Sequence, residues 1–234
     1  MIRVTIWNEF VHERELPEIK AIYPEGIHTC LKEFLSKESD YVVRIATLDM
    51  PEHGLTEEVL KDTDVLIWWA HAHHDEVSDA VVSRVKSHVL QGMGLIALHS
   101  AHFSKLLKEL LGTSMTLRWR HGDRERIWCT APSHPIAKGL PAYFDLEQEE
   151  MYGEFFDIPK PDNVVFTGWF AGGEVFRSGC TFSRGNGKIF YFQPGHEEYP
   201  IYYNKNIQKI IINGIQWANP VNRLLTPADN IHAI

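Results

Sequence analysis

The sequence predicts an open three-layer α/β domain with a mostly parallel sheet, extended by antiparallel strands in its second half. Three observations predict it. Apolar, β-branched runs alternate with helix-spaced runs through residues 2–111. The runs at 64–69 (DVLIWW) and 94–98 (GLIAL) hold almost only apolar residues, as strands covered on both faces require. Beyond residue 114 the helical spacing stops, and short β-prone runs broken by Gly, Pro and Asp continue until one last helix.

Each element has its own signal. Residues 2–7 (IRVTIW) read as the first strand. Residues 24–38 carry Ile27, Leu31, Phe34 and Leu35 at helical spacing, with Pro24 suited to a first turn. Residues 41–48 read as the second strand, and Thr56 before two Glu as a helix start. After the third strand, Val77, Val81, Val85 and Val89 step by four towards a stop at Gly92. The fourth strand precedes a helix with Phe103, Leu106, Leu107 and Leu110, ending at Gly112. GCTFSRGNGKIFYFQPG reads as a hairpin turning at Gly185-Asn186-Gly187. A helix over 203–218 places Ile207, Ile210, Ile211 and Gly214 on one side, and Pro220 stops it.

The 234 residues suit one domain over 1–220 with a tail over 221–234. The 23 Lys+Arg against 31 Asp+Glu give −8, which argues against nonspecific binding of nucleic acid or anionic membrane. There is no 18-residue apolar run, and the start MIRVTIWNEF is a strand rather than a signal peptide. Three widely spaced cysteines, Cys30, Cys129 and Cys180, form neither a disulfide framework nor a thiolate zinc site. A cytoplasmic protein is expected. An apolar face left by the β-rich half makes a homo-oligomer expected.

The unusual count is 13 histidines, clustered at strand ends. Ala70-His71-Ala72-His73-His74-Asp75 follows the third strand, His99-Ser100-Ala101-His102 the fourth, and Pro194-Gly195-His196-Glu197-Glu198 the last. Ligands of open α/β sheets bind at the carboxyl ends of strands, so these loops are expected to converge on one crevice. Imidazoles with a carboxylate suit a divalent transition metal, zinc foremost, and also serve as acid and base near neutral pH. His71, His73, His99 and His196 are the candidate metal ligands. His71 and His73, two apart, would point the same way in extended chain, with His74 turned away.

Among the acids of residues 145–154, alternation selects Glu150 as the one facing the crevice, and with His99 and His196 it forms the candidate catalytic set. Ser100, His102, Arg118, Arg120, Trp169 and Glu197 are candidate substrate-binding groups, since aromatic faces suit sugar rings and Arg suits hydroxyls or carboxylates. His12, His28, His53, His88 and His232 read as surface or structural, and His121 and His134 as intermediate. The plain reading of the AHAHHD stretch is a solvated polar loop, and of Arg118 to Arg120 an edge strand.

DVLIWWAHAHHDEVSD, GLIALHSA, SHPIAKGLP, EEMYG, FYFQPGHEEYP and a terminal INGIQWA follow in an order that resembles the trehalose-utilisation, or ThuA-like, family over residues 2 to about 219. The resemblance implies a flavodoxin-like fold related to class I glutamine amidotransferases, and a role in bacterial catabolism of trehalose, related disaccharides or their keto-derivatives. The amidotransferases place a nucleophilic Cys at a sharp strand-to-helix turn. Here that turn carries His99 and Ser100, so a glutaminase is not expected. A metal-assisted sugar-processing enzyme is the leading expectation. Its rivals are a Ser100 hydrolase outside the G-x-S-x-G pattern, a two-carboxylate glycosidase and a non-catalytic sugar-binding or sensing protein.

Overall fold

The computed structural model describes residues 1–223. In chain order the elements are β1 (Ile2–Asn8), α1 (His12–Glu15), α2 (Pro17–Ile22), α3 (Ile27–Leu35), β2 (Tyr41–Thr47), α4 (Glu57–Lys61), β3 (Val65–Trp69), α5 (Asp79–Leu90) and β4 (Gly94–Leu98). Then come α6 (Lys105–Leu111), β5 (Arg118–Cys129), β6 (Tyr143–Gly153), β7 (Asn163–Phe170), β8 (Val175–Arg184), β9 (Gly187–Phe192) and α7 (Lys205–Ala218). All nine strands join one sheet, in the order β2-β1-β3-β4-β9-β8-β7-β5-β6.

The sheet is half parallel rather than mostly so. β2, β1, β3, β4 and β9 run parallel through four ladders, and the four ladders from β9 to β6 are antiparallel. The correction has a simple cause. The links after β7 and β8 are too short for the crossover that parallel neighbours need, so those strands fold back as hairpins. Helices cover both faces of the parallel half. α3 and α7 bury Leu31, Phe34, Ile207 and Ile211 against one face, and α5 and α6 bury Val82, Val85, Leu106 and Leu107 against the other.

Local sequence explains most boundaries. Thr56 caps α4, accepting the amide of Val59, and Ser104 caps α6, accepting that of Leu107. The cap at Ser104 leaves Phe103 in a 3-10 turn (His99–Phe103) rather than in α6. The 24–38 helix begins at Ile27, after Gly26 at φ +84°. The short helices α1 and α2 had no periodic signal. Of the 221–234 tail, residues 224–234, His232 among them, lie outside the described residues. Arg223 packs on the domain, donating to the carbonyls of Leu60 at 3.1 Å and Thr63 at 2.6 Å.

The register positions the site. Asn8 pairs with Trp69, Trp69 with Leu98 and Leu98 with Phe192. Four parallel strands therefore stop in one row, and the residues after them emerge side by side. Irregular pairing of β5 with β6 between Arg120 and Glu125 bends that pair. The bend brings Glu149 and Glu150 of β6 against the loop after β9.

Two predictions follow from this packing. A Cβ on Gly94 would lie 2.6 Å from the Ala218 carbonyl oxygen, so β4 and α7 meet only because that position is bare. Gly94→Ala is expected to lower unfolding free energy by about 1–3 kcal/mol, read from urea denaturation. His28 is buried beside Asn8 Nδ2 at 2.9 Å, and burial pushes its imidazole down from 6.5 to about 4. The unfolded chain binds that proton below about 6.5 and the folded chain only below about 4, so its contribution falls as pH drops through this window. His28→Gln is expected to make the loss of stability between neutral pH and about pH 5 shallower. An unchanged acid slope in denaturation series would refute this.

Candidate functional site

His71, His99 and His196 stand around a common point. Their ring centroids are 5.6 Å (His71–His99), 4.9 Å (His71–His196) and 5.1 Å (His99–His196) apart. Glu197 joins them, and one donor atom from each of the four lies within 4.8 Å of the others. His121, Glu150 and His196 form a second, overlapping group. A cleft of about 260 Å³ opens onto this cluster, with Ser100, His102, Trp119, His121, Glu150 and Tyr152 in its wall.

The backbone at the β4 turn is unusual. His99 sits at φ +54°, a left-handed conformation that costs a non-glycine residue energy and recurs at functional turns. It aims the imidazole back over the sheet edge. His99 Nδ1 lies 3.2 Å from the Gln193 carbonyl, which can only accept, so Nδ1 carries a proton and Nε2 faces Glu150 Oε2 at 3.3 Å. For His196 the polarity is reversed. Its Nδ1 accepts the Glu198 amide at 3.1 Å, so a neutral ring holds its proton on Nε2, 4.0 Å from Glu150 Oε2.

Two buried carboxylates hold the loops. Glu9, just past β1, accepts the amides of His71 (3.0 Å), Ala72 (3.1 Å) and His73 (3.0 Å). Glu149 accepts those of Glu150 (2.8 Å), Gly195 (2.7 Å) and His196 (3.2 Å). Neither was singled out from the sequence. For Glu9 the signal was an acid directly after a strand end, and for Glu149 an acid inside an acid-rich strand; neither can be told from a solvated acid without the fold.

Several donors face the site without a protein partner. The Nε2 atoms of His99, His102 and His196 and Oε2 of Glu197 are buried and unbonded among the described residues. Such atoms are costly unless something fills the space between them. Burial opposes charge on His99, but Glu150, with Glu149 and Glu197 behind it, outweighs that and raises its pKa. Burial would raise Glu150, but His99 holds it below the usual carboxylate range. Burial, then the charge of His99, push His196 down to about 3. Burial is likewise outweighed at Glu197, where hydrogen bonds from His12 and His71 keep the carboxylate far below its usual range.

A family model described as trehalose utilisation, ThuA, matches residues 3–218. The chain belongs to the ThuA family. Its fold is similar to that of a ThuA-like protein from Parabacteroides merdae, with TM-score 0.70 and 14% identity over 97% of this chain and 92% of that one. A ThuA-like protein from Bacteroides uniformis gives 0.66 and 16% over 92% and 90%. A cytoplasmic protein from Salmonella typhimurium gives 0.61 and 15% over 94% and 100%. No curated protein matches the chain. No helix among the described residues is long and apolar enough to cross a membrane.

Placed on this ThuA-family structure, the candidates divide. His71, His99, Ser100, His102, Glu150, His196 and Glu197 come together at the cleft or directly behind it. His73 does not. Its Nδ1 turns to Glu76 Oε1 at 2.5 Å, because the chain enters a 3-10 turn at His74 and the extended alternation is lost. Arg118 and Arg120 are also misplaced. On β5 the alternate residues Trp119 and His121 line the cleft, so the arginines fall on the other face, where Arg120 is held by Glu174 and Asp123. Trp169 lies elsewhere on the sheet, under the Arg124 guanidinium at 5.7 Å. His12, read as surface or structural, belongs to the site, with Nδ1 2.8 Å from Glu197 Oε1. Ser100 Oγ pairs with Tyr152 Oη at 2.8 Å rather than with an imidazole, which removes the base a serine nucleophile needs.

Glu9→Gln replaces an acceptor-only group by one whose amide meets N–H donors head-on. Loss of these charge-assisted bonds is expected to cost about 1.5–3 kcal/mol and to raise amide hydrogen exchange at residues 71–73 above that of β3. Unchanged protection of those amides would show that Glu9 does not hold the loop.

Proposed function

We propose that this ThuA-family protein is a metal-assisted enzyme acting on an uncharged sugar, with trehalose-related disaccharides or their keto-derivatives as the substrate class. The observation that supports it is the meeting of three imidazoles and Glu197, with unpartnered buried nitrogens, at the foot of one cleft. His71, His99 and Glu197 offer free donor atoms and would hold a divalent transition ion, zinc foremost. His196 stands beside that set, and with its Nδ1 taken by the Glu198 amide it keeps Nε2–H for the substrate. The bound ion would supply polarisation of a sugar hydroxyl or carbonyl.

The chain's own groups do the rest. The exposed Trp119 offers a face on which the apolar side of a sugar ring rests. No Lys or Arg lines the cleft among the described residues, while Glu150 does, so phosphorylated and acidic sugars are disfavoured. Glu150 Oε2 accepts a proton from a sugar hydroxyl or from the C–H beside a keto group. The neutral His196 donates an Nε2–H hydrogen bond to the oxygen on which charge develops, and Glu150 returns its proton to that oxygen or to the departing one. A cytoplasmic setting and a homo-oligomer complete the reading. The flavodoxin-like component is the parallel half, whose order β2-β1-β3-β4 and then the fifth strand is that of such sheets.

The test is elemental analysis of protein purified without added metal, repeated on His71→Ala, His99→Ala and Glu197→Ala. A near-stoichiometric transition metal in the parent, lost in the variants, is expected, followed by turnover of a neutral disaccharide or keto-sugar. No metal even after soaking with zinc would overturn the metal-assisted reading. Sugar binding without turnover would leave a sensing protein. Trp119→Ala is expected to weaken sugar binding by about two- to tenfold, the worth of an aromatic contact, as calorimetric titration would read.

A further inference from the structure

Glu125 of β5, Ser178 of β8 and Gln193 just past β9 are fully buried side by side, and the proposed reaction uses none of them. Ser178 Oγ lies 3.0 Å from Glu125 Oε1 and 3.1 Å from Gln193 Oε1. Gln193 Nε2 donates to the Glu150 carbonyl at 3.2 Å, and the Gln193 carbonyl accepts from His99 Nδ1 at 3.2 Å. The cluster therefore lies directly behind His99 and Glu150, which pair at 3.3 Å at the foot of the cleft.

Counting protons decides its state. The Glu150 carbonyl can only accept, so the Gln193 amide nitrogen must face it and Oε1 must face Ser178. Oε1 then needs the single proton of the Ser178 hydroxyl. That leaves none for the Ser178–Glu125 contact, which must be supplied from Glu125. An ionised Glu125 would instead draw the hydroxyl proton to itself and release the Gln193 amide. Space is reserved for the pair, since a Cβ on Gly168 would lie 2.2 Å from Glu125 Oε1 and 2.4 Å from Ser178 Oγ. The titratable group facing Glu125 is Glu149 of β6, whose carboxyl burial pushes up to about 7 while three amide donors favour its ionised form. Burial first, then Glu149, push Glu125 well above the usual carboxylate range, in agreement with the proton count.

We infer that Glu125 is held as a neutral carboxylic acid and, through Ser178 and Gln193, acts as a positioning residue for Glu150 and His99. The inference stands apart from the identity of any metal or sugar. Deprotonating Glu125 would turn the Ser178 hydroxyl away from Gln193 and free the backbone of Glu150, so one buried proton keeps Glu150 and His99 in place.

Infrared difference spectra of the full chain at neutral pH, wild type minus Glu125→Gln, test the first part. A carbonyl stretch of a protonated carboxylic acid, present in the wild type and lost in the variant, is expected. Its absence overturns the inference. The imidazole 15N resonances of His99 test the second part. Glu125→Gln keeps a neutral donor towards Ser178 and is expected to leave them in place. Ser178→Ala breaks the chain and is expected to shift them. Ser178→Cys, close in size and a weak donor, is expected to act in the same direction and serves if alanine prevents folding. Resonances that stay put in the folded Ser178 variant, or that move equally in Glu125→Gln, overturn the positioning role. Neither readout depends on metal loading or turnover, so failure here is distinct from failure of the proposed enzyme activity.

Discussion

A buried carboxyl group that accepts three backbone amides is the interaction on which this site depends, and the protein uses it twice. Parallel strands ending in a row supply loops, but loops alone do not aim imidazoles. Glu9 gathers the amides of residues 71–73 and Glu149 those of residues 150, 195 and 196. Backbone N–H groups buried without partners are expensive, so each carboxylate both satisfies the loop and prescribes its path. The histidines then have little freedom left.

The same economy of space governs the charges. Acids and imidazoles are interleaved around the cleft, and burial would neutralise Glu150 and Glu197 were it not for the imidazoles beside them. The structure distributes the protons unequally. Glu150 and Glu197 keep their charge beside His99, His12 and His71, His196 stays neutral, and Glu125 retains a proton that its hydrogen-bond partners require. Pairs of titratable groups pushed in opposite directions are the material of acid–base chemistry. His99 at the left-handed turn is the centre of this arrangement, and no cysteine stands there.

Much of the parallel half was legible in the sequence because its signals are local. DVLIWW and GLIAL read as covered strands, the valines of α5 step at helical spacing, and Thr56 before two Glu marks a helix start, whereas the cap at Ser104 was not read and Phe103 was placed in α6. Histidines directly after strand ends gather at one cleft for the same reason, since strand direction places those residues at one edge. The failures were failures of register and distance. Choosing Arg118 and Arg120 over Trp119 and His121 is a one-residue error in the facing of β5, and a strand's facing is set by what it packs on. His73 was lost to a 3-10 turn that no periodicity announces.

The sequence by itself determined the ThuA-like order of elements, the sheet edge at which the histidines gather, and that no cysteine stands at the turn after β4. Only the tertiary structure decided that the sheet is half antiparallel, that His12 reaches Glu197 from 185 residues away along the chain, and that Glu9 and Glu149 lie beneath the loops. The reason is physical. Helix and strand periodicities arise between near neighbours, whereas the meeting of a carboxylate with distant amides is fixed by chain reversal and register, which the whole packed sheet sets together.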